Sequence, residues 1–183
     1  MIQGANIHLR TVRESDLSEL FTLLSDTSAR GEHVPMRLLS EAAFVADFRQ
    51  TGFWNDALGR LLICTPEGRM VGTIWYFQTA PYYDGVEIGY QLFDVESRGK
   101  GYTTEALMLF AEYLFGANKL NRLQLTVSVG NEASRRVAQK SGFTSEGLVR
   151  GAVFLHGRNV DIEMFSRLRS DAPPAGTDPA SHG

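Results

Sequence analysis

The sequence predicts one α+β domain, with a mostly antiparallel, mixed β-sheet flanked by α-helices. Three observations carry this expectation. Apolar residues recur at helical spacing before residue 50. Alternating, β-rich runs separated by turn residues fill the stretch from 60 to 93. A helix, a strand, a helix and a hairpin then follow in order.

The first strand is expected in "NIHLRTV". Glu14 and Ser15 open "ESDLSELFTLLSD", where Leu17, Leu20, Phe21 and Leu24 share one helical face. After a Gly/Pro-punctuated link, "SEAAFVADFRQ" predicts a second helix with Ser40 as N-cap and Phe44, Val45 and Phe48 facing inward. "RLLICT" and "MVGTIWYFQT" flank "PEGR", the signature of a hairpin. "GVEIGYQLF" is the next strand, and its alternation puts Glu87, Gly89, Gln91 and Phe93 opposite Val86, Ile88, Tyr90 and Leu92. The helix "TTEALMLFAEYLFG" is expected to bury Ala106, Leu107, Phe110, Tyr113 and Leu114. "RLQLTVSV" alternates as a strand, and "NEASRRVAQKSGF" is a short helix between an Asn131 N-cap and a Gly142 stop. "RGAVFLHGRNVDIEMFSRL" closes the domain as a hairpin turning at "HGRN". The domain is expected to run over 1–169, with 170–183 a polar Pro/Gly tail lacking fixed structure.

Composition narrows the function. The chain has 183 residues, 43% of them hydrophobic, enough for one sizeable core. No apolar run reaches the roughly 20 residues of a membrane helix, so no membrane partner is expected. "MIQGANIHLR" lacks the charged-then-apolar order of a secretory signal, and the single Cys64 excludes an internal disulfide; both fit a cytoplasmic protein. A net charge of −3 argues against nucleic acid as a partner but not against a small anion. His8, His33, His156 and His182 are scattered, and no metal site is expected.

One stretch carries chemistry. "ESRGKGYTTEAL", Glu96 to Leu107, places Gly99, Gly101, Arg98 and Lys100 at the mouth of a helix. A helix N-terminus has unpartnered N–H groups and about half a positive charge, and glycines let an anion approach them. A P-loop would need Ser or Thr where Gly101 follows Lys100; a dinucleotide fingerprint would need glycine where Thr104 stands. These residues alone leave a phosphate cradle and a glycine-rich turn both open.

The pattern Arg98, Gly101, Thr103 between strand and helix resembles the Arg/Gln-x-x-Gly-x-Gly/Ala acetyl-CoA motif of the GNAT N-acetyltransferases. "EIGYQLFDVESRGKGYTTEAL" is similar to the RimJ/RimL subgroup, which acetylates ribosomal-protein N-termini, and to its spermidine-acetylating relatives. Thr103 departs from the usual Gly or Ala. The likeness continues through "NEASRRVAQKSGF", similar to the family's Asn-x-x-Ser/Ala helix, and covers residues 7 to 168. It implies a GNAT-like sheet and acetyl-CoA as donor. The pyrophosphate would sit on the N–H groups of Gly99, Lys100, Gly101, Tyr102 and Thr103, and the pantetheine would lie between "YQLF" and "LTVSV". Backbone at Phe93 and Val95 would meet its amides, Asn131 its other end, and Arg135 or Lys140 the nucleotide's phosphate. Charges on that helix also fit a solvated face.

Acyl transfer needs a neutral amine. An amine of pKa near 10.4 costs about 4–5 kcal/mol to deprotonate at pH 7, an α-amine of pKa near 7.8 about 1. Glu87 matches the glutamate that acts as base, through a water, in RimJ/RimL-like enzymes; a sheet-edge carboxylate is the plainer alternative. The tyrosine that many GNAT enzymes use as acid is replaced by Ala138, while Ser134 matches the serine proposed for RimL-like members. A helix-start serine satisfying local backbone is its alternative. Trp54, Trp75, Tyr76, Tyr82 and Tyr83 are available to an acceptor pocket formed by the early helices and the final hairpin, with His33 near it. The resemblance implies an N-acetyltransferase acting on a protein N-terminus or a small-molecule amine, with homodimers common in the family. Its rivals are acetylation of an antibiotic or metabolite amine, and a non-catalytic module that only holds CoA.

Overall fold

A computed structural model describes residues 1–27, 31–35, 38–80 and 82–171; from residue 172 the expected tail lies outside the described residues. Along the chain run β1 (Ile2–Gln3), β2 (His8–Thr11), a 3-10 turn (Glu14–Asp16), α1 (Leu17–Ser25) and α2 (Glu41–Thr51). Then come β3 (Leu58–Cys64), β4 (Met70–Phe77), β5 (Gly85–Leu92), α3 (Tyr102–Ala117), β6 (Arg122–Ser128), α4 (Glu132–Lys140), β7 (Thr144–Leu155) and β8 (Arg158–Leu168).

The strands form one eight-stranded sheet in the order β1-β2-β3-β4-β5-β6-β8-β7. Every neighbouring pair is antiparallel except β5 and β6, which run parallel. This is the mixed, mostly antiparallel sheet expected. Period-two alternation gives the sheet two unlike faces. One face carries Leu9, Leu61, Ile63, Ile74, Val86, Ile88, Leu123, Leu125 and Phe165 against Ala106, Leu107, Phe110 and Leu114 of α3. The other presents Leu62, Cys64 and Phe93 to Leu17, Leu20 and Leu24 of α1 and to Phe53, with Phe44 and Phe48 of α2 packed at the margin. Because Val86 and Ile88 face α3, Glu87 faces the α1/α2 side.

Local chemistry sets the boundaries. Ser40 Oγ accepts from Ala43 N at 3.4 Å, and α2 ends on Gly52 at φ +64. Gly68, at φ +92, turns β3 into β4. His156 (φ +46) and Gly157 (φ +85) make the two-residue turn between β7 and β8, where both central residues must be left-handed. Asn131 Oδ1 accepts from Ser134 N at 3.1 Å and caps α4.

Several expectations need correction. Val45 joins neither core cluster; it lines a shallow surface hollow with Glu41, Ala42, Ala46, Arg49 and Gln50. Tyr113 stands 37% exposed, while Ala111 and Phe115 are buried in α3. The closing hairpin begins at Thr144 rather than at Arg150.

The 3-10 turn that launches α1 is pinned to β2. Arg10 Nη1 and Nη2 donate to Asp16 Oδ2 and Oδ1 at 2.6 and 2.9 Å, and Arg13 N donates to Asp16 Oδ2 at 2.7 Å. Burial alone would raise the Asp16 pKa, but the Arg10 guanidinium and the Arg13 N–H outweigh it and leave the pKa lowered. A depressed folded-state pKa means stability present above about pH 4 and lost as pH falls through the lower, folded value. Asp16→Ala should therefore lower unfolding free energy at pH 7 by about 2 kcal/mol in denaturant titrations. The deficit relative to the parent should shrink as the titrations are repeated toward pH 3.

Candidate active site

The parallel pair β5/β6 is joined over only three positions: Gly85↔Arg122, Val86↔Leu123 and Glu87↔Gln124. Beyond Glu87 the strands diverge. From Ile88 to Leu92, β5 stays bonded to β4 on its other side, and from Leu125 to Ser128, β6 stays bonded to β8. The result is a wedge-shaped seam whose two walls present backbone groups with no strand opposite, an arrangement that fits an inserted amide chain.

Glu87 sits at the apex. Its Oε2 accepts from Gln124 Nε2 at 3.0 Å and its Oε1 from Thr126 Oγ1 at 2.9 Å, so the carboxylate leans across the start of the seam on the α1/α2 face. Each oxygen keeps acceptor capacity for a further donor.

On the opposite face Tyr90 Oη and Ser134 Oγ lie 2.6 Å apart, linking β5 to the first turn of α4. Tyr90 was legible only as a core-facing residue of its strand; nothing in the linear sequence ties it to Ser134, 44 positions away. Burial drives the Tyr90 pKa up to about 12, with the Ser134 hydrogen bond a smaller opposing influence.

Both walls end in helix N-termini. Beyond β5, Ser97 N donates to Asp94 Oδ1 at 2.6 Å, Arg69 bonds Asp94 Oδ2 at 3.1 Å, and Arg98 N donates to Val95 O at 3.1 Å, which fixes the turn. Gly99 (φ +73) and Gly101 (φ +83) then turn the chain into α3 with no capping side chain. The N–H groups from Gly99 to Thr104 donate to no acceptor among the described residues, and Arg98 and Lys100 enter no ion pair there. Those amides, two glycines and two free cations form an anion cradle that a pyrophosphate fits.

The other expected contacts divide. Phe93 is buried and its N–H is taken by Val71 O at 3.0 Å, so only its carbonyl can serve a ligand; Val95 is 68% exposed. Asn131 uses its Oδ1 as a cap, leaving its amide NH2 for a ligand. Arg135 is claimed by Glu163, with Nη2–Oε2 at 2.8 Å, and approaches Glu132 at 3.9 Å, while Lys140 enters no ion pair among the described residues.

The aromatics also separate. Trp54 and Tyr76 pack edge-on at 5.5 Å in the α3-side core and Tyr82 is solvated, leaving Trp75 on the Glu87 face. Near the mouth, a cavity of about 200 Å³ is lined by Glu32 and His33, by Ser128 and Val129 at the end of β6, and by His156 and Arg158 of the hairpin. Among the described residues no cluster of His, Cys, Asp and Glu could hold a metal ion, and no helix is long and apolar enough to cross a membrane.

A family model described as an acetyltransferase (GNAT) domain matches residues 6–144. A probable N-acetyltransferase of Bacillus subtilis, YjcK, is 27% identical over 179 residues, covering 93% of this chain and 98% of that protein. The ribosomal-protein-serine acetyltransferase of Escherichia coli is 28% identical over 171 residues, covering 89% and 93%. Among solved structures, the spermidine N-acetyltransferase of Vibrio cholerae, in complex with CoA and spermine, superposes with a TM-score of 0.80. It is 18% identical, with 92% of this chain and 98% of that one covered.

A phenol whose folded pKa is raised contributes stability that is full below about pH 10 and is lost as pH rises toward 12. Denaturant titrations from pH 8 upward should show this alkaline loss. Tyr90→Phe should flatten it while leaving the neutral-pH midpoint within about 1 kcal/mol of the parent.

Proposed function

The chain belongs to the GNAT acetyltransferase family and is an acetyl-CoA-dependent N-acetyltransferase; from that premise we propose that it acetylates a protein N-terminus or a small-molecule amine at the Glu87 end of the β5/β6 seam. The observation that carries this is the coincidence of three features at one place. Strand pairing stops, an acceptor-side carboxylate stands at the stopping point, and an open helix N-terminus lies one loop away. In finer terms, we place the activity in one domain over residues 1–169 of a cytoplasmic homodimer.

The residues divide the work. The N–H groups of Gly99 to Thr103, with Arg98 and Lys100, hold the pyrophosphate, and their fixed orientation costs nothing at the moment of binding. The carbonyl of Phe93, the backbone at Val95 and the side-chain amide of Asn131 are placed along the pantetheine path. Arg135, already paired with Glu163, contributes a weaker field to the nucleotide than an unpaired cation would. When bound, acetyl-CoA supplies the thioester carbonyl that takes the amine's lone pair, giving the amide and the free thiol. Glu87 accepts the proton the ammonium must shed, directly or through one water, while Gln124 and Thr126 fix the direction of its carboxylate. Ser134, held by Tyr90, points a hydroxyl into the seam from the other face, where it can donate a hydrogen bond to the departing sulfur. In a module that only held CoA the Glu87 carboxylate would serve solely to bridge β5 to Gln124 and Thr126 of β6.

Thiol release from acetyl-CoA, followed with a panel of peptides and small amines, tests the proposal. Acceptor-dependent release supports it, and CoA binding without release from any acceptor refutes it. Glu87→Gln should cut kcat/KM by about 10²–10³-fold for an acceptor of pKa near 10 and by no more than about tenfold for an α-amine. The deficit should narrow as pH rises toward the amine's own pKa, read from the pH–rate profile. Gly101→Val meets no atom near its Cβ, so its cost is confined to the backbone at φ +83, about 1–2 kcal/mol. The bulk should block the cradle: calorimetry should find CoA affinity lost while the circular dichroism of the fold persists.

A further inference from the structure

Arg60 lies on the same sheet face as Glu87 and has no carboxylate within ion-pair distance among the described residues. Four other guanidiniums of the sheet and its loops are matched by carboxylates: Arg10 with Asp16, Arg69 with Asp94, Arg122 with Glu146, Arg167 with Glu112. Arg60 instead rests its guanidinium 5.1 Å over the indole of its cross-strand neighbour Trp75, with one long contact of 3.4 Å to Thr73 Oγ1. The indole lies across Gly89, where a Cβ would come within 2.5 Å of the ring, so the glycine leaves room for this floor. Gln91, opposite Thr73, offers a side-chain amide with no hydrogen bond among the described residues.

Asp47 of α2 is the carboxylate whose charge Arg60 feels, but it stands outside ion-pair distance and accepts from Thr51 Oγ1 at 3.3 Å. Desolvation pushes the Arg60 pKa down to about 10, so the group stays charged at neutral pH while poorly compensated. A half-buried cation without a partner is costly to keep, and the site retains an opening to solvent. A guanidinium also presents a fork suited to a carboxylate.

We propose that Arg60, on its Trp75 floor and beside Gln91, is an acceptor-recognition site that binds a carboxylate of the substrate, so that the enzyme selects amines carrying an acidic group. This rests on the acetyl-transfer function and narrows its acceptor. Two strand spacings and two residues of rise put the Cα atoms of Arg60 and Glu87 about 12 Å apart, and the guanidinium reaches toward Thr73, away from Glu87. With about 3 Å taken up by each polar contact, the amine and the acid of the acceptor are separated by two extended residues or more. A polyamine, whose distal group is cationic, meets repulsion at this position.

The test uses two readouts on the full chain: thiol release from acetyl-CoA, and calorimetric binding of acceptors to protein saturated with CoA. The probes are C-terminally amidated, serine-initiated tripeptides with Asp or Glu at the second or third position, their Asn and Gln counterparts, Lys counterparts, free glutamate and spermidine. The wild type should favour acidic over amide acceptors by about 10- to 100-fold, mainly through KM and Kd. Arg60→Gln should bring that ratio near one, and Arg60→Lys should retain part of it, both with unchanged CoA affinity. A response to acidic peptides but not to glutamate assigns the carboxylate to a peptide; a response to both extends it to small acids. A wild-type ratio near one, an equal ratio in folded Arg60→Gln, or a preference for lysine peptides or spermidine overturns the proposal. If acidic peptides bind in an Arg60-dependent way but no thiol is released, the anion site stands and acetyl transfer fails. Turnover without acid preference has the opposite meaning. A wild-type ratio near one overturns the proposal without any variant, and if Arg60→Gln misfolds, an undiminished ratio in folded Arg60→Lys overturns the assignment to Arg60.

Discussion

The interaction on which the rest depends is one that stops. Parallel pairing between β5 and β6 ends at Glu87↔Gln124, and the sheet opens there although both strands continue. An open seam inside a sheet exposes unpaired backbone, which the fold must hold apart without closing or filling it. Side chains do this on both faces. On the α1/α2 face Glu87 reaches across to Thr126, one pairing step past the last backbone contact. On the α3/α4 face Tyr90 reaches to Ser134, and so couples β5 to the helix that follows β6. Glu87 joins one wall to the other and Tyr90 ties its wall to α4, while the walls themselves stay anchored to β4 and β8. The groups proposed for the chemistry are thus also groups that hold those walls.

Charge follows the same local logic. With a net charge of −3, the chain has no global attraction for an anion, and at physiological salt a field beyond about 8 Å is screened in any case. What matters is which cations have been left without partners. Arg122 is held by Glu146, whose pKa falls to about 2 mainly through that guanidinium, with Ser166 adding a hydrogen bond; this ties β6, β8 and β7 together. Arg135 is held by Glu163. Among the described residues Arg98 and Lys100 have no carboxylate partner, and they flank the uncapped N-terminal amides of α3. Arg122 and Arg135 are spent on holding the sheet and α4 together, which leaves the cations of the Arg98–Thr103 turn for the proposed donor site.

Much of this was legible in the sequence because it is local. Caps, left-handed glycines and a two-residue hairpin turn are written within four or five residues, and the glycine-bent turn into α3 at Gly99 and Gly101 is of that kind. The strand from Thr144 was missed at its start because most of β7 is exposed on both faces, so no alternation marks it and only pairing with β8 makes it a strand. Val45 and Tyr113 were misassigned for a related reason. Helical spacing gives the direction of an apolar stripe but not its width, and both residues fall at its edge. Trp54 and Tyr76 read as pocket candidates, yet facing is decided by register, which puts them in the α3-side core and leaves Trp75 on the other face. Tyr90 with Ser134 and Arg60 with Trp75 belong to no linear pattern, since each pair meets only when strands are laid side by side.

The two bridges differ in what they can do with a proton. The Tyr90 phenol, raised to about 12, and an aliphatic hydroxyl both hold their protons more tightly than a thiol of pKa near 8.5. Neither can yield a proton to a departing thiolate without going uphill, so in the proposed reaction the Ser134 side of the seam would act by hydrogen-bond donation to the developing negative charge. The proton that must move comes with the acceptor amine. In the proposed reaction it would leave on the Glu87 side, where a carboxylate with two fixed donors and spare lone pairs stands at the apex. On the proposed mechanism the seam would separate two tasks that a single residue would perform poorly: taking up a proton on one face and steadying a leaving anion on the other. The demand on the first task rises steeply with the basicity of the acceptor, whereas the demand on the second is fixed by the donor and is the same for every amine that enters.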